Sequence, residues 1–388
     1  MSLRSWLSRV NAVLFGVCVV SGVVFGANKP HYLVTNDDAP PELISSVTFY
    51  TVGADGQLTQ KEKVSIGQGG IAGGYFGPNR LSVLDGGNSE CIFASLALNG
   101  DIVGIVVETL QSAGHANGSA QDTGSANGVG LAMNSKYLYA SFTDPNTIGT
   151  FQVNTGCTLT FISDINVGGL QGGVIDGMVI HGNIMVTTYG DGSIESFDIS
   201  AAVPASNGDL QNSTASRSGN TYPNGIVVTH DGHYAIFGDT ATSTVVEVSD
   251  ISSGKLTPTV VYRLGGTRSS SNVLLSPDQT LLYISNTQGD RITAAFFDTS
   301  TGKLSNGCTS GKLKGYVADW SYLASLALET TTGTGGAVYV AEFGAPSSIA
   351  EIKVTSAGGK CTLEESASSP ASDPNSPGLL SIRAFPPL

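Results

Sequence analysis

The sequence predicts an all-β fold: a seven-bladed β-propeller of four-stranded blades, its ring closed by pairing C-terminal with N-terminal strands. Three observations predict it. First, a short apolar strand recurs along the 388 residues, at Tyr32-Leu33-Val34, Leu81-Ser82-Val83, Tyr137-Leu138-Tyr139, Ile184-Met185-Val186, Tyr234-Ala235-Ile236, Leu282-Tyr283-Ile284 and Val338-Tyr339-Val340. The spacing, roughly 47 to 56 residues, is that of propeller blades. Second, 50 glycines and 13% charged residues accompany 40% hydrophobic residues, a balance suited to many short strands joined by tight turns. Third, the two chain ends hold complementary pieces of one repeat. The first repeat lacks a preceding inner strand, and Leu379-Leu380-Ser381-Ile382 reads as an inner strand with nothing after it.

At the N-terminus, Arg4 and Arg9 precede an apolar run from Ala12 to Phe25, and small residues follow at Gly26 and Ala27. This pattern predicts a signal peptide over residues 1–26, leaving 27–388 as a single propeller domain. The run falls short of the ~20 residues that a membrane-crossing helix needs. Cys18 follows Val17 rather than a small residue, which argues against a lipid anchor. The expectation is a secreted or periplasmic protein with no membrane span.

Each repeat is then built alike. The recurring strand ends in Asn36, Asp85, Ser141, Thr188, Gly238, Asn286 or Glu342, and turn residues follow, as in Gly190-Asp191-Gly192. A second alternating strand comes next, for example Ser193-Ile194-Glu195-Ser196-Phe197, and a glycine turn leads to a third, as in Gly254-Lys255-Leu256. An apolar stretch such as Asn272-Val273-Leu274-Leu275 precedes the recurring strand and completes four. Two polar stretches, 112–127 and 202–222, read as inserted loops. Each carries a glycosylation acceptor pattern, Asn117-Gly118-Ser119 and Asn212-Ser213-Thr214.

Beyond the leader four cysteines remain, and an oxidising compartment would pair them in one of three ways. On this register Cys157, Cys308 and Cys361 open outermost strands and Cys91 lies in the third strand of blade two. Neighbouring blades then join Cys91 to Cys157 and Cys308 to Cys361. The net charge of −13, with no cluster of Lys and Arg, excludes a nucleic-acid surface. Nothing in the pattern asks for an oligomer, so a monomer is expected.

The units from Thr229 to Leu256 (THDGHYAIFGDTATSTVVEVSDISSGKL) and from Ser276 to Leu304 (SPDQTLLYISNTQGDRITAAFFDTSTGKL) resemble blades of the seven-bladed lactonase-like propellers. That superfamily includes 6-phosphogluconolactonases and carboxymuconate cyclases. The resemblance covers most of the chain in rhythm and implies the fold directly. By implication the activity is that of a carboxylic-ester hydrolase opening a sugar or organic-acid lactone at one mouth of the channel. The family's Arg-His pair at the start of an inner strand is not found here. The histidines at 115, 181, 230 and 233 read as loop, strand-end and turn residues, or as isolated general bases.

Candidate site residues follow from position. Asp176 interrupts a Gly-rich apolar inner strand, where a carboxylate serves as base or metal ligand, or else is hydrogen-bonded at a blade interface. Glu342 takes a strand-end place held by Asn or Asp in other blades, a second catalytic candidate. Asn127, Asn224, Asn272 and Asn375 recur at the starts of inner strands, where they either cap turns or line a ligand site. Asn224 and Asn272, with Asp176, offer oxygen ligands suited to Ca2+. The stretch Pro223-Asn224-Gly225-Ile226 is similar to one in the six-bladed calcium-dependent gluconolactonases, whose early Glu-Gly-Pro motif is missing here. Trp320 precedes the inner strand of blade seven, where an indole can stack on a sugar. The alternative to a lactonase is a catalytically inactive propeller that binds a small ligand, glycan or protein outside the cell, or a structural component of an envelope or matrix.

Overall fold

The computed structural model describes residues 31–37, 39, 42–53, 55–70, 80–86, 89–117, 128–143, 145–215, 223–240, 244–265, 270–286, 289–315, 322–329, 336–343, 347–373 and 379–385. The leader expected over 1–26 lies outside them. Seven antiparallel sheets form, of four strands each, with a short fifth in two. Among the described residues the one helical element is a single 3-10 turn, Thr155–Cys157.

The innermost strands are Leu379–Phe385, Leu81–Leu84, Gly128–Met133, Ile175–His181, Pro223–Val228, Ser270–Leu275 and Tyr322–Glu329. Each packs against the next, and the last returns to the first. Every inner strand pairs on one edge only, so seven unpaired edges surround the axis. Outside them run the recurring apolar strands. Tyr32–Asp37, Cys91–Leu96 and Leu281–Asn286 are buried at every residue. A second strand lies between two neighbouring blades and is covered on both faces, hence its unbroken apolar run. Outer strands such as Leu159–Asn166 mix exposed with half-buried positions, as one wet face requires.

The core is divided into seven apolar clusters, one at each seam between blades. At the seam of blades 1 and 2, Phe49, Val64 and Phe385 meet Ile92 and Ile105. At the closing seam, Tyr339, Ala341 and Ile349 of blade 7 meet Leu33, Tyr50 and Ile382 of blade 1. Each such side chain, taken fully from water, contributes roughly 1.5–3 kcal/mol. The ring closes in register, with Tyr32 opposite Phe385 and Asn36 opposite Ser381. Arg80 N–H donates to Ser381 Oγ at 3.0 Å, and Tyr339 O–H donates to the Gly56 carbonyl at 3.1 Å.

Three features depart from the sequence reading. In blade 2, Leu81–Leu84 is the inner strand and not the second; Cys91–Leu96 is second and Asp101–Val106 third. Gln111–Ala116 is that blade's outer strand, so the expected loop over 112–127 begins with a strand. Blade 2 shortens its inner strand to four residues, and the turn at Gly86, at φ 120°, imitates the turn that elsewhere follows a second strand. In blade 4, the expected loop over 202–222 supplies the outer strand in two pieces, Ala205–Ser206 and Gln211–Asn212. Asn212 of the second glycosylation pattern is thus a half-buried strand residue opposite Ser193; the first pattern runs outside the described residues after Asn117.

Both disulfides form as the blade order predicts. Cys91–Cys157 links the second strand of blade 2 to the turn before the outer strand of blade 3, with Cα atoms 5.5 Å apart. Cys308–Cys361 links the outer strands of blades 6 and 7, with Cα atoms 5.6 Å apart. Cys91 opens its blade's second strand rather than lying in the third, and Cys308 sits near the end of its strand, Lys303–Thr309.

Candidate functional site

Six of the seven inner strands share a device at the end where each begins. An extra residue is inserted opposite the second strand at Leu380, Val129, Asp176, Ser271 and Ala324, and one is inserted within Asn224-Gly225. A β-bulge bends its strand and redirects a side chain, a common arrangement beside binding sites. Here the bulges form a belt around one mouth of the channel. Asp176 is the single charged residue among them.

Asp176 is half-buried and its carboxylate lies beside Gly190, where a Cβ would stand 3.4 Å from Oδ2, at van der Waals contact. Burial, and then the negative charge of Asp191, push the Asp176 carboxyl up from 3.8 to about 7. Asp191 follows the opposite course. Burial pulls it up, but hydrogen bonds win and hold it below its usual value; they come from the Ser193 hydroxyl and the N–H groups of Gln171, Ser193 and Gly173. Gln171 N–H reaches Oδ2 at 2.7 Å and Ser193 N–H reaches Oδ1 at 2.9 Å. Asp191 thereby pins the loop leading into the inner strand. Glycine in that loop serves the contact, since a Cβ at Gly169 would lie 2.2 Å from Asp191 Oδ2. Two neighbouring carboxyls driven apart in pKa can divide acid and base duties.

Glu342 lies elsewhere. It pairs with Leu323 one step before the bulge, a position that Asp37, Asp239 and Asn286 occupy in blades 1, 5 and 6. All four are buried. Asp37 accepts hydrogen bonds from Ser46 and Thr48 hydroxyls at 2.8 and 2.6 Å. Asn286 accepts one from Thr244 of blade 5 at 2.9 Å. In Glu342 one oxygen accepts the Ser348 hydroxyl, and Oε1 finds no hydrogen-bond donor among the described residues. Burial pushes its carboxyl to about 7; the Ser348 hydroxyl opposes this, and Glu365 and Asp290 reinforce it. At 2% exposure Glu342 sits in a seam, not in the channel wall.

Of the asparagines, Asn272 follows the Ser271 bulge, is buried, and receives the Ser285 hydroxyl oxygen as acceptor for its own N–H at 2.9 Å. The Asn224 side chain, Asn127, Asn375 and Trp320 lie outside the described residues. Among the described residues no three His, Cys, Asp or Glu side chains converge on a metal position.

Two arginines escaped sequence reasoning. Arg80 stands immediately before the inner strand of blade 2, fully buried, in the register place that Gly177 and Asn272 hold in their blades. Arg383 lies on the inner strand of blade 1, donates to the Ile382 carbonyl at 3.1 Å, and is lowered to about 10 by burial. The signal was present in Pro78-Asn79-Arg80-Leu81. It was hidden because Leu81 reads as the opening of a second strand.

The architecture defines a seven-bladed β-propeller with a belt of β-bulges at one channel mouth. No family model and no curated protein matches the chain. Solved structures do. The periplasmic gluconolactonase PpgL of Pseudomonas aeruginosa superposes with a TM-score of 0.66 at 13% identity, over 91% of this chain and 98% of that one. A candidate 6-phosphogluconolactonase from Bacteroides fragilis gives 0.55 at 13%, over 72% and 80%. The propeller domain of Myceliophteria thermophila Cps50 (Swd1) gives 0.51 at 12%, over 73% and 88%. The chain is thus similar in fold to lactonase-like propellers and to others besides.

Proposed function

We propose that this protein is an exported lactonase-like hydrolase in which Asp176 is the acid–base group. One observation carries the reading: a single carboxyl on the bulge belt, partly exposed, which burial and the charge of Asp191 push up to about 7. As a carboxylate, Asp176 takes a proton from water while the water oxygen adds to the lactone carbonyl carbon. The ring C–O bond then breaks, and the proton passes from Asp176 to the departing alkoxide. A group with its pKa near the working pH suits both steps. Arg80, immediately before the inner strand of blade 2, and Arg383, on that of blade 1, supply positive charge to the same ring of strands. The two disulfides and the periplasmic gluconolactonase among the structural neighbours support export.

The test is lactone hydrolysis followed by pH-stat across sugar and organic-acid lactones. Wild-type rate should rise through about pH 7, and Asp176→Asn should lose roughly 10²–10⁴-fold with unchanged folding. Equal rates for the two proteins would refute the role of Asp176.

A binding module is the second reading, favoured by exposed apolar residues on the belt face. Leu43, Ile44 and Leu98 follow second strands and Leu170 precedes an inner strand, and they are 38–61% exposed. Background hydrolysis across the whole panel would favour it.

A further inference from the structure

The two disulfides differ in what can reach them. Cys91 and Cys157 are both 0% exposed, and the carbonyl of Cys157 packs so closely on Gly104 that a Cβ there would stand 1.9 Å away. Cys308 and Cys361 are each only half-buried. Cys308 also lines a groove of about 220 Å³ at the rim between blades 5 and 6, together with Leu264, Gly265, Ala294, Asn306 and Gly307. The groove is remote from the channel, since its residues come from the outer and third strands.

Local sequence keeps this bridge uncovered. The pairing of the third and outer strands of blade 6 shifts between Ala294 and Ala295, opposite Cys308 and Asn306 respectively. Gly307 is the extra residue. A Cβ at Gly307 would stand 2.4 Å from the Ala294 carbonyl oxygen and 3.2 Å from Sγ of Cys361, so the bulge requires glycine and the groove wall beside the bridge carries no side chain there. None of the lining residues is charged. In a chain of net charge −13, a neutral groove is a place where an anionic thiol meets little local repulsion.

We propose that the Cys308–Cys361 bridge is a thiol-exchange site, modified in the folded protein by a small external thiol of the cysteine or glutathione class entering this groove. The external thiolate attacks Sγ of Cys308 and forms a new S–S bond. The Cys308–Cys361 bond breaks, and Cys361 leaves as thiolate and takes a proton from solvent. Atoms and electrons balance, with one disulfide exchanged for another. The Cys91–Cys157 bridge, with neither sulfur in contact with solvent, is passed over.

The experiment uses the folded, oxidised protein and millimolar reduced glutathione at mildly alkaline pH without denaturant. Samples are quenched with N-ethylmaleimide and mapped by peptide mass spectrometry, with circular dichroism in parallel. The expected result is glutathione on Cys308 and maleimide on Cys361, at least about tenfold sooner than any label on Cys91 or Cys157, with the dichroism unchanged. Comparable rates at the two bridges, or no adduct before denaturant is added, would overturn the proposal. An adduct on Cys361 would overturn the route of attack. Asn306→Trp, at an exposed position on the groove wall, should slow the adduct several-fold. An unchanged rate would remove the groove from the proposal.

Discussion

At the residue scale, two carboxyls with raised pKa have different places and different consequences. Glu342 is sealed in a seam and carries no solvent-facing chemistry, so its effect is on stability. Its native pKa of about 7 stands above the ordinary value of 4.5. Between those values the folded protein keeps a proton that the unfolded chain has released, so stability falls as pH rises through this window and levels off above it. Glu342→Gln keeps an acceptor for Ser348 and removes the charge. It should leave stability near pH 4 almost unchanged and raise it at pH 8, by at most on the order of 3 kcal/mol. Urea melts at the two pH values decide this, and a variant no more stable than wild type at pH 8 contradicts it. Asp176 was legible as an odd carboxylate in an apolar strand. Its partner Asp191 was not, because in Gly190-Asp191-Gly192 it looks like any turn aspartate. Only the fold brings the loop amides of Gln171 and Gly173 onto it.

At the scale of elements, the second strands were readable because burial on both faces writes an unbroken apolar run. Six of the seven were placed correctly from that alone. Blade 2 departs because Leu81-Ser82-Val83 has the same look while lying on the axis, so that the buried run Cys91–Leu96 beside it reads as a third strand. Outer strands were the least legible. Gln111–Ala116 and the split pair in blade 4 face water and carry polar, glycine-containing sequence, which in isolation resembles a loop. Glycines within strands mark where blades approach. Gly104 is the sharpest case, with the Cys157 carbonyl 1.9 Å from where a Cβ would be placed. Gly104→Ala should therefore push the third strand of blade 2 away from blade 3, at about 1–3 kcal/mol, the usual cost of overpacking. A thermal melt reads this directly, and a variant as stable as wild type would show the turn to be yielding.

At the scale of the whole molecule, closure was predicted from half a repeat at each end and is observed strand by strand. Deleting residues 379–388 removes Ile382 and Phe385, both 0% exposed, from two different seams. It also bares the edge of Tyr32–Asp37, an invitation to pair with another chain. The deleted protein should elute as aggregates on size exclusion and lose its single sharp melting transition. A monomer with an unaltered melt would mean the other six blades hold the ring unaided.

The same seam sets a timetable for biosynthesis. The strand beside Tyr32–Asp37 is Leu379–Phe385, made after every other blade, and Arg80 waits for a partner 301 positions downstream. Blade 1 cannot be completed until residues 379–385 have been made, and long-range pairing of this kind is slow to form. The ring therefore locks only once the strand 379–385 exists to pair with Tyr32–Asp37, and until then blade 1 keeps an open edge.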